Sequence, residues 1–160
     1  MNESNHQACS FTINGHLYGL NILDIKEVYS DLKFHRIFHA NHFIKGYVNV
    51  RGQINLILNL RHMLGYQDHQ DPSQAKVILF KNKISNCCGI IVDNIGEIIN
   101  LRDIPIDQPS SDDFKTGDKN SRELVSGVAK LRESVMVLLA SQKIIDFAEK
   151  PNLGEKNEDK

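Results

Sequence analysis

Apolar residues along the chain fall into short runs that are separated by polar residues and glycines. Two runs flank Asn14-Gly15, and two more flank Arg51-Gly52. A short segment that ends in glycine between apolar runs is typical of a tight β-hairpin, because glycine adopts positive φ without steric penalty. We therefore predict a hairpin at each place. In the second hairpin we expect one apolar face, formed by Val48, Val50, Ile54, Leu56 and Leu58.

Further apolar runs predict more strands and two short helices. The run KVILF is expected to pair with CGIIVDNI around residues 81–86, and LVSGVAKL with VMVLLA. One helical turn is predicted in LRHMLGY, where Gly65 would end it, and a C-terminal helix in SQKIIDFAEK, with Ser141 as a candidate N-cap. The segment LDIKEVY fits either a helical turn or a bent strand. The many short strands predict an all-β barrel or sandwich, joined by polar loops at 30–42, 67–75 and 105–121.

Two blocks of sequence occur twice, in the same order. Residues 19–28 and 89–98 share a glycine, an isoleucine and a glutamate at matching places, and residues 46–54 and 127–135 share a glycine and an arginine. Self-similarity of this kind indicates a repeated structural unit. We expect two similar β lobes, about 11–65 and 76–140. Because about 60 residues are marginal alone, the lobes should share a core and leave a groove between them.

Composition narrows the functional classes. The chain has 160 residues, 41% of them apolar, and a formal net charge of −1, unlike the basic surface of a nucleic-acid-binding protein. Its first ten residues lack the cationic start and apolar core of a secretory signal, and no apolar run is long enough to span a membrane. Three cysteines, an odd number, do not make a disulfide framework. We expect reduced thiols in a cytoplasmic protein.

The residues with reactive side chains do not assemble into a catalytic site. His35, His39 and His42 lie in one loop and are weak metal-site candidates without a fourth ligand. Cys87 and Cys88 are expected on a strand, with their thiols on opposite faces. We predict no catalytic, cofactor-binding or metal-binding residues. A metal- or thiol-dependent enzyme is the alternative from a different functional class.

Four segments resemble the CheW-like domain family, in the family's order and over about residues 9–148. This resemblance implies two packed SH3-like five-stranded β-barrel subdomains with a short C-terminal helix. We expect residues 1–8 and 149–160, which lie outside this match, to be flexible tails. The segments are FTINGHLYGLNILDIKEV (11–28), FIKGYVNVRGQINLILNLRHMLG (43–65), GIIVDNI (89–95) and VSGVAKL (125–131).

The resemblance further implies a non-catalytic adaptor that couples chemoreceptors to a chemotaxis histidine kinase. The implied partners are the regulatory domain of the kinase and the cytoplasmic receptor tip, whose helical hairpin would dock in the groove between the lobes. The protein would be cytoplasmic and would reach membrane receptor arrays through these partners. The residues matched to the partner-binding surface are Glu27, Val28, Asn49 and Arg51, and those matched to structural turn glycines are Gly46, Gly52 and Gly89.

Three residues depart from the family's usual pattern. Asn41 and Leu56 stand where proline is usual, and Asn59 stands where aspartate is usual. A leucine in place of proline restores a backbone N–H donor. Loss of the aspartate removes a charge that could pair with Arg61. These changes indicate a divergent member, so a scaffold for a non-standard kinase pathway, such as twitching or surface motility, is the alternative.

Overall fold

The computed structural model describes residues 6–67, 74–109 and 119–149, which form short strands and short helices. The strands are β1 (Gln7–Ile13), β2 (His16–Asn21), β3 (Ile25–Ser30), β4 (Ile44–Val50), β5 (Gln53–Leu58), β6 (Lys76–Phe80), β7 (Cys88–Val92), β8 (Asn94–Asn100), β9 (Ile106–Asp107), β10 (Val125–Lys130) and β11 (Val135–Leu139). The helices are α1 (Leu60–Met63), α2 (Lys119–Arg122) and α3 (Ser141–Glu149). The all-β prediction with a C-terminal helix is therefore confirmed.

The strands form two sheets. One has five strands in the order β3-β6-β7-β5-β4, and the other has six in the order β8-β1-β2-β11-β10-β9. His35 and Tyr47 exchange two backbone hydrogen bonds of 2.9 Å, which join the segment after β3 to β4 and close the five-stranded sheet. The two subdomains agree with the predicted pair of small barrels. The subdomain with the six-stranded sheet has one strand more than the predicted five, because the two-residue β9 pairs with β10.

Among the described residues, apolar side chains form three core clusters. Each sheet encloses one of its own, centred on Ile57 in the five-stranded sheet and on Met136 in the six-stranded sheet. The largest core lies between the sheets and also receives α1 and α3. Its fully buried members include Phe11, Leu20, Leu60, Ile78, Phe80, Ile90 and Ile144. The expected shared core is therefore present.

The predicted lobes do not match the sheets. Hairpin β1–β2 pairs with β8 and β11, and hairpin β6–β7 pairs with β3 and β5. Each repeat thus contributes its first hairpin to the sheet built by the other repeat, an arrangement we call hairpin exchange. Lobes at 11–65 and 76–140 are wrong as spatial units, because similarity between repeats does not determine which strand edge a hairpin joins.

The hairpin turns follow the prediction, but the faces of one hairpin do not. Both turns have two residues with positive φ, as type I′ turns require. The second turn pairs Val50 with Gln53, and therefore Val48 with Asn55. Val48 and Val50 lie in the barrel core with Ile57, whereas Ile54 is 52% exposed. The predicted single apolar face is wrong, because the two-residue turn pairs even-numbered with odd-numbered positions.

The other predicted elements have mixed outcomes. The hairpins β6–β7 and β10–β11 are present, and LDIKEVY contains both alternatives, a 3₁₀ turn at Ile22–Asp24 followed by β3. Ala8, predicted in a flexible tail, is buried in β1. Much of the loops predicted at 67–75 and 105–121 lies outside the described residues. In the part of the chain that the structure describes, no helix is long and apolar enough to cross a membrane.

Candidate partner-binding surface

A charged cluster lies where β3 meets the tip of the β4–β5 hairpin. It contains Arg51, Glu27 and Tyr29, and we call it the Arg51 cluster. The Arg51 Nη2 atom donates to Glu27 Oε1 at 2.6 Å and to the Tyr29 hydroxyl oxygen at 2.5 Å, and it also contacts Glu27 Oε2. The Tyr29 hydroxyl donates to Glu27 Oε2. Three side chains from two elements therefore hold one another at the rim of the five-stranded barrel.

Strand alternation explains the composition of the cluster. Residues two apart on a strand share a face, so Glu27 and Tyr29 both point toward Arg51. The Tyr29 ring packs against the core of the five-stranded sheet, which fixes its hydroxyl at the rim. Val28 points to the opposite face of β3 and is 41% exposed. The strand thus presents a charged face and an exposed apolar residue on its two sides.

Asn49 supports the turn that carries Arg51. Its side-chain oxygen accepts a 2.8 Å hydrogen bond from the Gly52 backbone N–H. Arg51 has φ 52° and Gly52 has φ 85°, so the turn needs a residue that tolerates positive φ at each position. Asn49 is not a member of the Arg51 cluster. It stabilises the backbone turn from which the guanidinium projects.

The electrostatics of the cluster keep both charges in place. The hydrogen bond from Tyr29 lowers the pKa of Glu27 below its ordinary value, and Arg51 lowers it further. The same contact with Glu27 raises the pKa of Tyr29, and Glu27 raises that of Arg51. The side chain of Arg51 is 71% exposed and that of Glu27 34%. Glu27 and Arg51 are therefore both charged near neutrality, and most of the Arg51 side chain is open to a partner.

Comparison with known proteins identifies the family. The model of the CheW-like domain matches residues 7–149. The chain belongs to the CheW-like domain family. It is 28% identical over 139 residues to the chemotaxis protein CheW of Klebsiella aerogenes, covering 87% of this chain and 81% of that protein. It is 22% identical to the chemotaxis protein CheW of Helicobacter pylori, covering 90% and 84%.

A solved structure supports the same assignment. The crystal structure of the scaffolding protein TtCheW from Thermoanaerobacter tengcongensis superimposes with a TM-score of 0.70 at 25% sequence identity. The match covers 84% of this chain and 88% of that one. The family resemblance expected from the sequence is confirmed, and with it the mostly-β architecture of two packed subdomains.

The glycines of this CheW-like chain have different structural roles. Gly52 lies in the hairpin turn, with open space around a Cβ added there. Gly46 lies in β4 at φ 148°, beside a bulge, and a Cβ would overlap the His35 carbonyl oxygen. Gly89 lies inside β7, where a Cβ would be 2.5 Å from the Ile78 carbonyl oxygen. The predicted turn role is therefore wrong for Gly46 and Gly89, which permit close backbone approach within the sheet.

The structure accommodates the departures from the family pattern. The Leu56 N–H, which a proline would lack, donates to the Cys87 carbonyl at 2.8 Å and extends the contact between β5 and β7. Asn59 accepts from the His62 N–H with its side chain and caps α1. The charge of Arg61 is met by Asp93 at 2.8 Å. The ion pair with Asp93 was not predicted, because nothing in the sequence indicates that residues 61 and 93 are adjacent.

His35 and the two adjacent cysteines, which the sequence offers as candidates for metal or thiol chemistry, pack within the fold. His35 stacks on Tyr47 with ring centroids 4.9 Å apart. Within residues 6–67, 74–109 and 119–149, no three His, Cys, Asp or Glu residues group as a metal site would require. Burial raises the pKa of Cys88 to about 11. Cys87 precedes β7 at φ 55°, so placing both cysteines on a strand is wrong for Cys87.

One residue of the candidate surface was missed in the sequence. The family resemblance does not indicate Tyr29, although it stands two positions after Glu27 in the segment predicted as a helical turn or a bent strand. Its spacing was the available signal. The exposed apolar positions were also detectable, because Val28 and Ile54 match Ile98 and Val135 in the repeat, and all four are exposed. Both barrels therefore present apolar side chains at equivalent places.

Proposed function

We propose that this protein is a non-catalytic adaptor that couples chemoreceptors to a chemotaxis histidine kinase. The family match over residues 7–149 and the relatives named chemotaxis protein CheW support this function. So does the similarity to a structure described as a scaffolding protein. The observation that carries the proposal is the Arg51 cluster, an exposed charge that is held in one geometry on a packed β scaffold.

The proposed partner-binding surface consists of Glu27, Val28, Asn49 and Arg51, with Tyr29 as a positioning residue. Arg51 would contact the partner directly, since its side chain is largely exposed and its orientation is already fixed. A charge that is fixed before binding loses less conformational entropy on association. Complementary charge at such a surface mainly sets orientation, specificity and association rate. Val28 would add apolar contact on the other side of β3.

The proposed partners are the regulatory domain of the kinase and the cytoplasmic tip of a chemoreceptor. Both are proteins, and we propose no cofactor for the adaptor. We place the protein in the cytoplasm, at receptor arrays that it reaches through these partners.

Reversal of the Arg51 charge tests the function. Arg51→Glu should weaken binding to the kinase regulatory domain or to a receptor tip by about tenfold, because the partner would meet a charge of the opposite sign. Titration calorimetry with each purified partner measures the affinity. The melting temperature should stay within about 3 °C of wild type, since exposed charge substitutions have small effects on stability.

The matched control is Arg132→Glu, which reverses an exposed arginine at the tip of the equivalent hairpin in the other sheet. Equal losses in both variants would mean that only net charge matters. The adaptor function itself is contradicted if the wild-type protein binds neither partner at tens of micromolar.

A further inference from the structure

An open depression lies beside the five-stranded barrel, on a part of the surface separate from the Arg51 cluster. Its volume is about 370 Å³. It is bounded by the segment after β3, the start of β4 and the helix α1. The lining residues that matter here are Arg36, Phe38, His39, His42, Lys45 and His62.

The depression concentrates positive charge. Arg36 and Lys45 are permanent cations, and three imidazoles lie beside them. None of the described residues that line the depression carries a carboxylate group. Residues 32–67 contain no Asp or Glu, although the whole chain has 20 acidic residues against 19 Lys and Arg. Among the described residues that line the depression, the only side chains with a permanent charge are therefore cations.

Hydrogen bonds fix the walls. Asn59 is buried, and its N–H donates to the Phe43 carbonyl at 2.6 Å. The Asn41 side-chain oxygen accepts from the Phe43 N–H at 2.9 Å, and the Asn41 carbonyl accepts from the Ile44 N–H at 2.9 Å. The ring Nδ1 of His62 lies 3.2 Å from the His42 carbonyl. These bonds join the end of the loop to β4 and α1, so this part of the wall of the depression is held in place.

An exposed aromatic ring lines the depression beside these cations. Phe38 is 89% exposed, the largest exposure among the large apolar residues described. A flat apolar ring beside cationic side chains suits a ligand that has both an aromatic base and negative charge, because bases stack on aromatic faces.

We propose that the depression binds adjacent phosphate groups of a small ligand, either a nucleoside polyphosphate or inorganic polyphosphate. Arg36 would bind phosphate oxygens through two parallel N–H donors, and Lys45 would contribute a point charge. The imidazole of His39 would donate a hydrogen bond to the same oxygens. In a nucleotide, the base would stack on Phe38.

Titration of the full-length protein with ATP, inorganic tripolyphosphate and adenosine tests this proposal. In about 0.15 M salt, where long-range attraction is screened, ATP and tripolyphosphate should bind with dissociation constants below about 1 mM, and adenosine should not bind. The double variant Arg36→Gln/Lys45→Gln should lower the affinity for ATP and for tripolyphosphate at least about tenfold. Its melting curve should match that of wild type, because both side chains lie at the surface depression.

A charge-matched control separates a site from general attraction. Lys81→Gln/Lys143→Gln removes two exposed cations that do not line the depression. It should leave both affinities unchanged, and equal weakening in the two double variants would overturn the proposal. So would the absence of binding at about 5 mM anion. Phe38→Ala distinguishes the ligands: selective weakening of ATP supports a nucleotide, and unchanged binding of both anions supports inorganic polyphosphate.

Discussion

Arg51 is an exposed side chain in a fixed position. The positive φ of its turn directs it toward β3, Asn49 stabilises that turn, and Glu27 and Tyr29 hold the guanidinium. The hairpin tip and its arginine are predictable from the sequence, because glycine and apolar alternation mark the turn. The pairing with Glu27 is not, since it depends on how the barrel closes through His35 and Tyr47.

Replacement of Glu27 tests the electrostatics of the cluster. The pKa of Glu27 is lower in the folded state than its ordinary value. Its carboxylate therefore stabilises the folded protein at pH values above the ordinary pKa of glutamate. That contribution is lost as the pH falls through the lowered pKa. We expect the difference in the free energy of unfolding between wild type and Glu27→Gln to shrink from pH 7 to pH 3, as urea unfolding would measure.

Glu97→Gln removes a glutamate at the matching repeat position and controls for general effects of carboxylate loss. Parallel pH profiles for wild type and Glu27→Gln would show that Glu27 has no special environment in the folded protein.

At the scale of single elements, the turn determines the register and the register determines the faces. Alternating apolar residues predict the strands, and the glycine-containing turns predict two hairpins, but the buried face of β4–β5 follows from the Val50–Gln53 pair. Shifting a register by one residue moves every side chain to the other face. Four of the six residues of β5 are apolar and they occupy both alternating sets of positions, so the sequence does not reveal which set is buried.

Gly89 and Gly52 should respond differently to substitution by alanine. A Cβ at Gly89 meets the Ile78 carbonyl of the neighbouring strand, so the backbone must move. We expect Gly89→Ala to lower the free energy of unfolding by about 3 kcal/mol. Gly52→Ala should lower it by about 1 kcal/mol, because only the positive φ is unfavourable there. Denaturant unfolding measures both, and a larger loss for Gly52→Ala would contradict this account.

At the scale of the whole molecule, hairpin exchange makes the two barrels interdependent. Each exchanged hairpin joins its new sheet on both sides, through the antiparallel pairs β1·β8 and β3·β6 and the parallel pairs β2·β11 and β5·β7. The repeat is visible in the sequence because the same apolar and glycine positions recur. The exchange is not visible in the sequence, because by pattern alone each hairpin fits either sheet. Only the packed structure shows which sheet each hairpin joins.

Division of the chain between residues 70 and 71 tests this interdependence. Each half carries strands of both sheets and completes neither. We expect each purified half to lack a cooperative thermal transition, and an equimolar mixture to recover the β-sheet circular dichroism of the intact protein. Independent folding of either half would contradict this interdependence of the two barrels.

The same strand order has a consequence for how such a protein can arise. A chain with a single repeat would have one hairpin to donate and one gap between two strands. With this strand order it would fill that gap by intertwining with a second copy, as in a domain-swapped dimer. Fusing the two copies end to end keeps every contact and removes the dependence of folding on protein concentration. It also frees each half to diverge, so that the two faces of such a fused pair can acquire different ligands.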